Sequence, residues 1–336
     1  MNILVIRTSS LGDVVMTTPA FAALKAEYPE CKITYLVDDR FSGLVKNHPF
    51  IDRVIPIRWL DNEKKPFQLL KEIKKTLRLI KLEKYDLAFD FQGLLRSVVF
   101  LWLSGAKKKF GRGNWIFLSG KKPHNRKLPK HNVFQNQEIL SLAGISIKKN
   151  YGQNISGCIQ EINPGEWADT HLQSFDKIIA VNPWTAWPSK SVPALLLAGA
   201  CNEIGDKIRS HFFVLGAKSE MKYALEVFKL IRHPKSLLTG KLGLGELAGF
   251  LKKSSLLITG DTGPMHIASA LATPQVAVFG PTHPLRTGPY EGKFEIISTD
   301  LNCMPCFKRE CPLGHRDCIN SLETWHISEK AIKLLT

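Results

Sequence analysis

Short runs of aliphatic and β-branched residues alternate along the whole chain with longer stretches in which apolar positions recur every three to four residues. The short runs have the length and composition of buried strands, and the longer ones are amphipathic helices. In the first half the runs at residues 3–6, 33–37, 53–57 and 86–91 predict strands, with helical periodicity over 14–27 and 64–84. In the second half residues 178–182, 212–215, 256–259 and 275–279 predict strands, and helices follow at 166–175 and 267–271. Strand and helix in strict alternation predict parallel sheets with helices on their faces. The chain therefore reads as α/β, two doubly wound units in tandem. The seam falls where Gly and Pro interrupt the pattern, between Gly157 and Gly165, giving domains of residues 1–160 and 161–336. No short repeat is visible, which argues against a solenoid.

Composition agrees with this picture and adds a polarity to it. The 336 residues are 44% hydrophobic, enough for two cores, and no apolar run approaches the roughly 20 residues that span a bilayer. The opening Met1-Asn2-Ile3-Leu4-Val5-Ile6-Arg7 reads as a strand rather than a cleavable leader, so a cytoplasmic protein is expected. Of the net charge of +16, +14 lies before residue 161. Charge concentrated in this way suits an anionic partner of the first domain, whether nucleic acid, anionic lipid or a phosphorylated substrate, and is also compatible with a merely solubilising surface.

In open α/β sheets ligands gather beyond the carboxyl ends of the strands, and the unusual residues of this chain fall there. The first strand runs into Arg7-Thr8-Ser9-Ser10-Leu11-Gly12-Asp13, a flexible loop that sets a carboxylate at a helix start and lacks both the dinucleotide fingerprint and the phosphate-loop lysine. A capping role for Asp13 and a chemical one stand level on these residues alone. Thr259-Gly260-Asp261-Thr262-Gly263-Pro264-Met265-His266 places Pro in the first turn of a helix, which leaves backbone N–H groups for an anion and sets His266 one turn further in. Asn182 to Lys190 follows the first strand of the second domain and ends in a single lysine.

These segments, with Asp90-Phe91-Gln92-Gly93-Leu94-Leu95-Arg96-Ser97 and Val278-Phe279-Gly280-Pro281-Thr282, occur in the order found in glycosyltransferase family 9, the heptosyltransferases, which the chain resembles over most of its length. The resemblance implies a GT-B fold, two Rossmann-like domains facing across a cleft, the acceptor on the N-terminal side and the nucleotide sugar on the C-terminal side. It implies inverting transfer of heptose from ADP-heptose to a Kdo hydroxyl of a Kdo-lipid A acceptor in the lipopolysaccharide inner core, with no metal or other cofactor required for catalysis. Asp13 matches the family's general base, and Lys190 the cation that neutralises the leaving diphosphate. Thr185, Asp261, Thr262, Gly263 and His266 match donor contacts, Leu242 marks a stretch whose main chain meets the adenine, and Ser10, Gly12, Gln92, Arg96 and Arg112 fall on the acceptor side. One departure concerns the ribose. An acidic residue expected after Gly216-Ala217 is replaced by Lys218, leaving Glu220 as the candidate. The heptosyltransferase I type is favoured. A second heptosyltransferase with a heptose or other acceptor, a sugar-nucleotide epimerase of the same fold, and a non-catalytic nucleotide-binding protein are the alternatives.

Against that background the basic first half suits an acceptor carrying phosphates and carboxylates at the anionic inner face of the inner membrane. Two stretches carry the charge: the helix over 64–84, with Lys71, Lys74, Lys75 and Arg78 largely off its apolar stripe, and residues 107–130, which read as a long loop. A nucleic-acid partner is not expected, because no binding motif for one is present. Seven cysteines argue against a disulfide framework in this compartment. Cys303, Cys306, Cys311 and Cys318 crowd together, and their spacing is open to a structural zinc or iron site or to reduced structural thiols.

Overall fold

The computed structural model describes residues 1–58, 66–122, 130–147, 151–160 and 176–336. The predicted helix over 166–175 and part of the predicted seam lie outside them. The chain forms two compact units, Met1–Cys158 and Ile159–Thr336.

The first unit contains β1 (Asn2–Ile6), α1 (Leu11–Val15), α2 (Thr18–Glu27), β2 (Lys32–Asp38), α3 (Asp39–Ser42), β3 (Arg53–Ile57), α4 (Pro66–Ile80), β4 (Leu87–Asp90), α5 (Leu95–Leu103), β5 (Lys108–Arg112), β6 (Gly120–Lys122) and α6 (Asn132–Ser141). Its described strands form one parallel sheet in the order β3-β2-β1-β4-β5-β6. Residues Ile3 to Ile6 of β1 and the whole of β4 are buried, as strands covered on both faces must be. On one face Ile73, Leu77 and Ile80 of α4 pack with Phe100 and Leu101 of α5 against Leu4, Ile6, Leu36 and Ala88. Each side chain of this size contributes about 1.5–3 kcal/mol when fully buried.

The second unit repeats the plan with β7 (Lys177–Asn182), α7 (Ala194–Gly205), β8 (Ser210–Val214), α8 (Met221–Leu230), β9 (Lys235–Leu237), α9 (Leu244–Lys253), β10 (Leu256–Gly260), α10 (Gly263–Ala270), β11 (Gln275–Phe279), α11 (Pro284–Thr287), β12 (Phe294–Ser298), α12 (Asp317–Asn320) and α13 (Thr324–Leu335). Its sheet is again parallel, in the order β12-β11-β10-β7-β8-β9. All five residues of β8, β10 and β11 are buried.

Two expectations change. The helix predicted over 14–27 is broken into α1 and α2. Pro19 sits in the first turn of α2, where its missing N–H is harmless, and the Thr17 hydroxyl donates to the Asp13 carbonyl (2.8 Å) at the break. Residues 107–130 are not one long loop: β5 and β6 occupy part of them, and 123–129 lie outside the described residues. Gly111 lets β5 lie close on β4, since a Cβ there would stand 3.2 Å from the Asp90 carbonyl oxygen.

Candidate active site

In each unit the chain leaves two adjacent strands in opposite directions, β1 and β4 in the first and β7 and β10 in the second. Loops diverging from such neighbours leave a crevice at their carboxyl ends. Most of the candidate residues lie at these two places.

In the first unit Asp13 is the third residue of α1, at the end of the loop from β1. Its Oδ2 accepts from the Ser10 N–H and from the Ser10 hydroxyl, both at 3.0 Å, and its Oδ1 is ion-paired with Arg7. Burial raises the Asp13 carboxyl, but Arg7 and the Ser10 hydrogen bonds outweigh it and leave the pKa at about 2. The residue is therefore ionised at neutral pH, with a fifth of its side chain (22%) open to solvent. From β4, Gln92 comes to the same place: its Oε1 accepts from the Thr8 N–H (2.9 Å) and hydroxyl (2.7 Å), and its Nε2 donates to Ser9 Oγ (3.2 Å). Arg96, exposed on α5, donates to the same Ser9 hydroxyl. Asp90 anchors the turn below by accepting from the Gln92 N–H (2.8 Å) and the Ser97 hydroxyl (2.9 Å). Burial pushes its pKa up to about 6 against those hydrogen bonds.

In the second unit Lys190 closes the loop from β7, and its Nζ lies 2.6 Å from Asp261 Oδ2 at the end of β10, with the side chains 15% and 5% exposed. The Lys190 ammonium also stands over the Trp187 ring, 4.5 Å from its centroid. Asp261 accepts in addition from the hydroxyls of Thr282 (2.6 Å) and Thr287 (3.4 Å). Thr185 is buried and donates within its own loop to the Trp187 carbonyl (2.8 Å). Gly260 permits that loop to approach, because a Cβ there would meet Thr185 Cγ2 at 3.1 Å. Helix α10 starts at Gly263 with Thr262 as its cap and Pro264 in its first turn, and His266 is buried one turn in. Beside this, Gly216 after β8 and Gly240 after β9 are joined by the Gly240 N–H to Gly216 carbonyl bond (2.8 Å). Glu220 accepts there from the Ala217 N–H (2.7 Å), burial raising its pKa, and Leu242 follows, half-buried.

An ionised carboxylate with hydrogen-bonding neighbours in one unit, and a cation with a helix start that has no side-chain cap among the described residues in the other, are the parts of a group transfer from a phosphorylated donor. The family model of glycosyltransferase family 9 (heptosyltransferase) matches residues 73–316. The chain belongs to glycosyltransferase family 9. It is similar to the lipooligosaccharide heptosyltransferase 2 of Campylobacter jejuni, 26% identical over 100% of this chain and 98% of that one. It is similar also to the lipopolysaccharide heptosyltransferase 1 of Pseudomonas aeruginosa, 26% identical over 93% of this chain and 87% of the relative. Among solved structures, a family 9 glycosyltransferase from Veillonella parvula superposes with a TM-score of 0.83 at 23% identity, covering 99% of this chain and 97% of that one. The ADP-heptose heptosyltransferase II of Escherichia coli gives 0.77 at 19%, covering 100% and 98%. The fold is GT-B, and the protein is a glycosyltransferase.

Three features of the transferase differ from what its residues alone convey. Arg112, expected on the acceptor side, is buried in the first unit, where it donates to Gln135 Oε1 (2.8 Å) and Asn136 Oδ1 (3.1 Å) and ties β5 to α6. Gly12 is buried within α1 and offers no side chain, while Ser10 is exposed with its hydroxyl turned onto Asp13. The cysteine-bearing stretch packs against the Lys190 loop. The Lys308 carbonyl accepts from the Ser189 hydroxyl (2.7 Å), the Arg309 carbonyl from the Ser189 N–H (3.2 Å), and Arg316 donates to the Ser191 carbonyl. All four of its thiols are free, and among the described residues no three His, Cys, Asp or Glu side chains are arranged to hold a metal ion. Burial, then the neighbouring thiols of Cys306, Cys311 and Cys303, raise the Cys318 pKa. The sequence shows Arg7 as a cation at the end of a buried strand six residues before the carboxylate but gives it no role.

Proposed function

We propose that the transferase moves heptose from ADP-heptose to a Kdo hydroxyl of Kdo-lipid A, with inversion and without a metal. The observation that carries the reading is the pairing of chemistries at the two strand-end crevices, a carboxylate at Asp13 and a buried cation at Lys190 with the α10 start beside it. In this mechanism Asp13 accepts the proton of the acceptor hydroxyl as its oxygen bonds the anomeric carbon from the face opposite the nucleotide. The bond from that carbon to the diphosphate breaks, and the charge passing to ADP falls on Lys190 and the Thr262-Gly263 amides. Thr185 stands by the phosphate, His266 supports the turn, Asp261 accepts from sugar hydroxyls, Glu220 reaches the ribose and the main chain at Leu242 meets the adenine. Gln92 and Arg96, with Ser10, face the acceptor, whose carboxylates Arg96 can pair with.

The lipid-anchored acceptor places the enzyme on the cytoplasmic face of the inner membrane. Among the described residues no helix is long and apolar enough to cross a membrane, and peripheral contact is supported by α4, where Phe67 and Leu70 are exposed beside exposed Lys71, Lys74 and Lys75. The four thiols are assigned a structural part in the stretch that braces the Lys190 loop through Lys308, Arg309 and Arg316. Zinc or iron bound there would be found by elemental analysis at about one equivalent per chain and be lost with Cys306→Ser.

A second acceptor reading stands beside the first, because a type 2 and a type 1 relative are each 26% identical, the type 2 relative over 100% of this chain and the type 1 relative over 93%. Incubation with ADP-heptose and a panel of truncated lipopolysaccharides, followed by product mass, decides between them. Addition of one heptose to Kdo-lipid A is expected. Addition only to an already heptosylated acceptor gives the type 2 activity, and no product with any acceptor rejects the donor.

A further inference from the structure

Arg7 is not a surface ion-pair partner of Asp13. Its side chain is 13% exposed, its backbone continues β1 by donating to the Leu36 carbonyl (3.1 Å), and its guanidinium is held at two points, donating to the Phe91 carbonyl at the end of β4 and pairing with Asp13 Oδ1. The Tyr35 hydroxyl of β2 donates to its carbonyl (3.2 Å). One rigid cation thus spans the gap between β1 and β4, and its outer nitrogen reaches the carboxylate of the proposed base. Arg7 and Ser10 from its own loop contact Asp13, and Tyr35 of β2 feels the charges of both Arg7 and Asp13; Asp90 of β4 and Arg96 of α5 feel the charge of Arg7.

We propose that Arg7 is the positioning residue of the transfer: fixed between the Phe91 carbonyl and Asp13, it keeps the Asp13 carboxylate ionised and aimed toward the acceptor hydroxyl. The inference rests on the reading of Asp13 as the general base. Its physical content is a trade. A fixed guanidinium lowers the proton affinity of the carboxylate, which weakens it as a base, yet guarantees the unprotonated form and confines it to one orientation, with Oδ2 set by Ser10. Geometry of this kind carries large weight, since displacing a reacting group by about 1 Å can reduce a rate about 100-fold. An arginine suits the task because its planar fork can hold a carbonyl and a carboxylate at once, whereas a lysine presents a single point charge.

The test is the pH dependence of kcat from pH 4.5 to 8 for Arg7→Gln and Arg7→Lys, with ADP-heptose and Kdo-lipid A as substrates and Asp13→Asn as control. With Arg7 neutralised, both of its contributions that lower the Asp13 carboxyl are lost while the burial that raises it remains, so the pKa of Asp13 climbs. Arg7→Gln should then lose activity on the acid side where the wild type does not. Its kcat at neutral pH should fall about 10- to 100-fold with the KM for ADP-heptose unchanged. Arg7→Lys retains the charge and should keep the wild-type acid side, with kcat lowered by less than about 10-fold. Wild-type kcat and a flat acid side in Arg7→Gln overturn the proposal. If Arg7→Gln does not fold, Arg7→Lys decides alone, and an acid-side loss in that variant overturns it. An Asp13→Asn enzyme that still turns over removes the general base itself, whereas an inactive Asp13→Asn beside a normal Arg7→Gln removes only the role of Arg7.

Discussion

Replacing Lys190 by methionine tests the donor side, because length and apolar stem are kept and only the charge is lost. Two consequences can be worked from the geometry. For turnover, the proposed mechanism sets Lys190 where charge develops on the leaving diphosphate, and loss of one such group in a preorganised site reduces kcat about 10²- to 10³-fold, or about 2.7–4 kcal/mol. For stability, Asp261 is left 5% exposed without its cation but still accepts from Thr282 at 2.6 Å and Thr287 at 3.4 Å. Those hydroxyls hold the loss to about 1–3 kcal/mol, below the full loss for stranding a buried charge. The double variant Lys190→Met/Asp261→Asn removes the stranded carboxylate and should recover most of that stability. It should not recover turnover, since no cation then faces the diphosphate and the Thr262-Gly263 amides act alone. The assays are ADP release under saturating donor and thermal unfolding of the same preparations. A single variant within about threefold of wild-type kcat, or a double variant that restores rate together with stability, would refute the assignment of Lys190 to the leaving group.

Three further outcomes are expected. Asp13→Asn should lower kcat by about 10²- to 10⁴-fold and leave ADP affinity unchanged by isothermal titration, and near-normal turnover would count against a general base at that position. Transfer should persist in EDTA, because Lys190 and the α10 start supply the charge stabilisation, and an activity that returns only with added Mg²⁺ or Mn²⁺ contradicts this. Neutralising the exposed Lys108 and Lys121 at the β5–β6 edge should weaken Kdo-lipid A binding more than ADP-heptose binding and flatten its salt dependence, over the range in which the Debye length shrinks from about 10 Å to about 3 Å; equal salt slopes would make these lysines a solubility feature.

The central strands of both sheets could be read directly from the chain, as could the loops that carry Asp13, Gln92, Lys190 and Asp261. Buried parallel strands are continuous apolar runs bounded by turn residues, a local property that needs no partner to be visible. Strands β5, β6, β9 and β12 did not show in the same way, although β3 at the other edge of the first sheet did. Strand β5 begins with two lysines, β6 and β9 have three residues each, and β12 holds Glu295. Such segments become strands only because a neighbouring strand supplies hydrogen bonds, with β4 holding β5 and β11 holding β12. Charge was legible in amount but not in placement. Arg112 counted as a basic residue for the acceptor and is buried beneath α6, while Lys107 is paired with Asp86 and Lys130 with Glu138.

What the sequence by itself determined is the class of fold, and it named the candidate reacting groups, because both are written in local patterns: apolar runs of strand length, and a carboxylate or a cation immediately beyond them. What only the tertiary structure decided is who stands beside whom. Arg7 meets Asp13, Lys190 meets Asp261, and the cysteine-bearing stretch braces the Lys190 loop. Lys190 and Asp261 lie 71 residues apart in the chain, and Ser189 and Lys308 lie 119 apart. Pairings at such separations follow from the order in which the strands assemble, which brings β7 beside β10 and β1 beside β4, and no short-range pattern of side chains encodes that order.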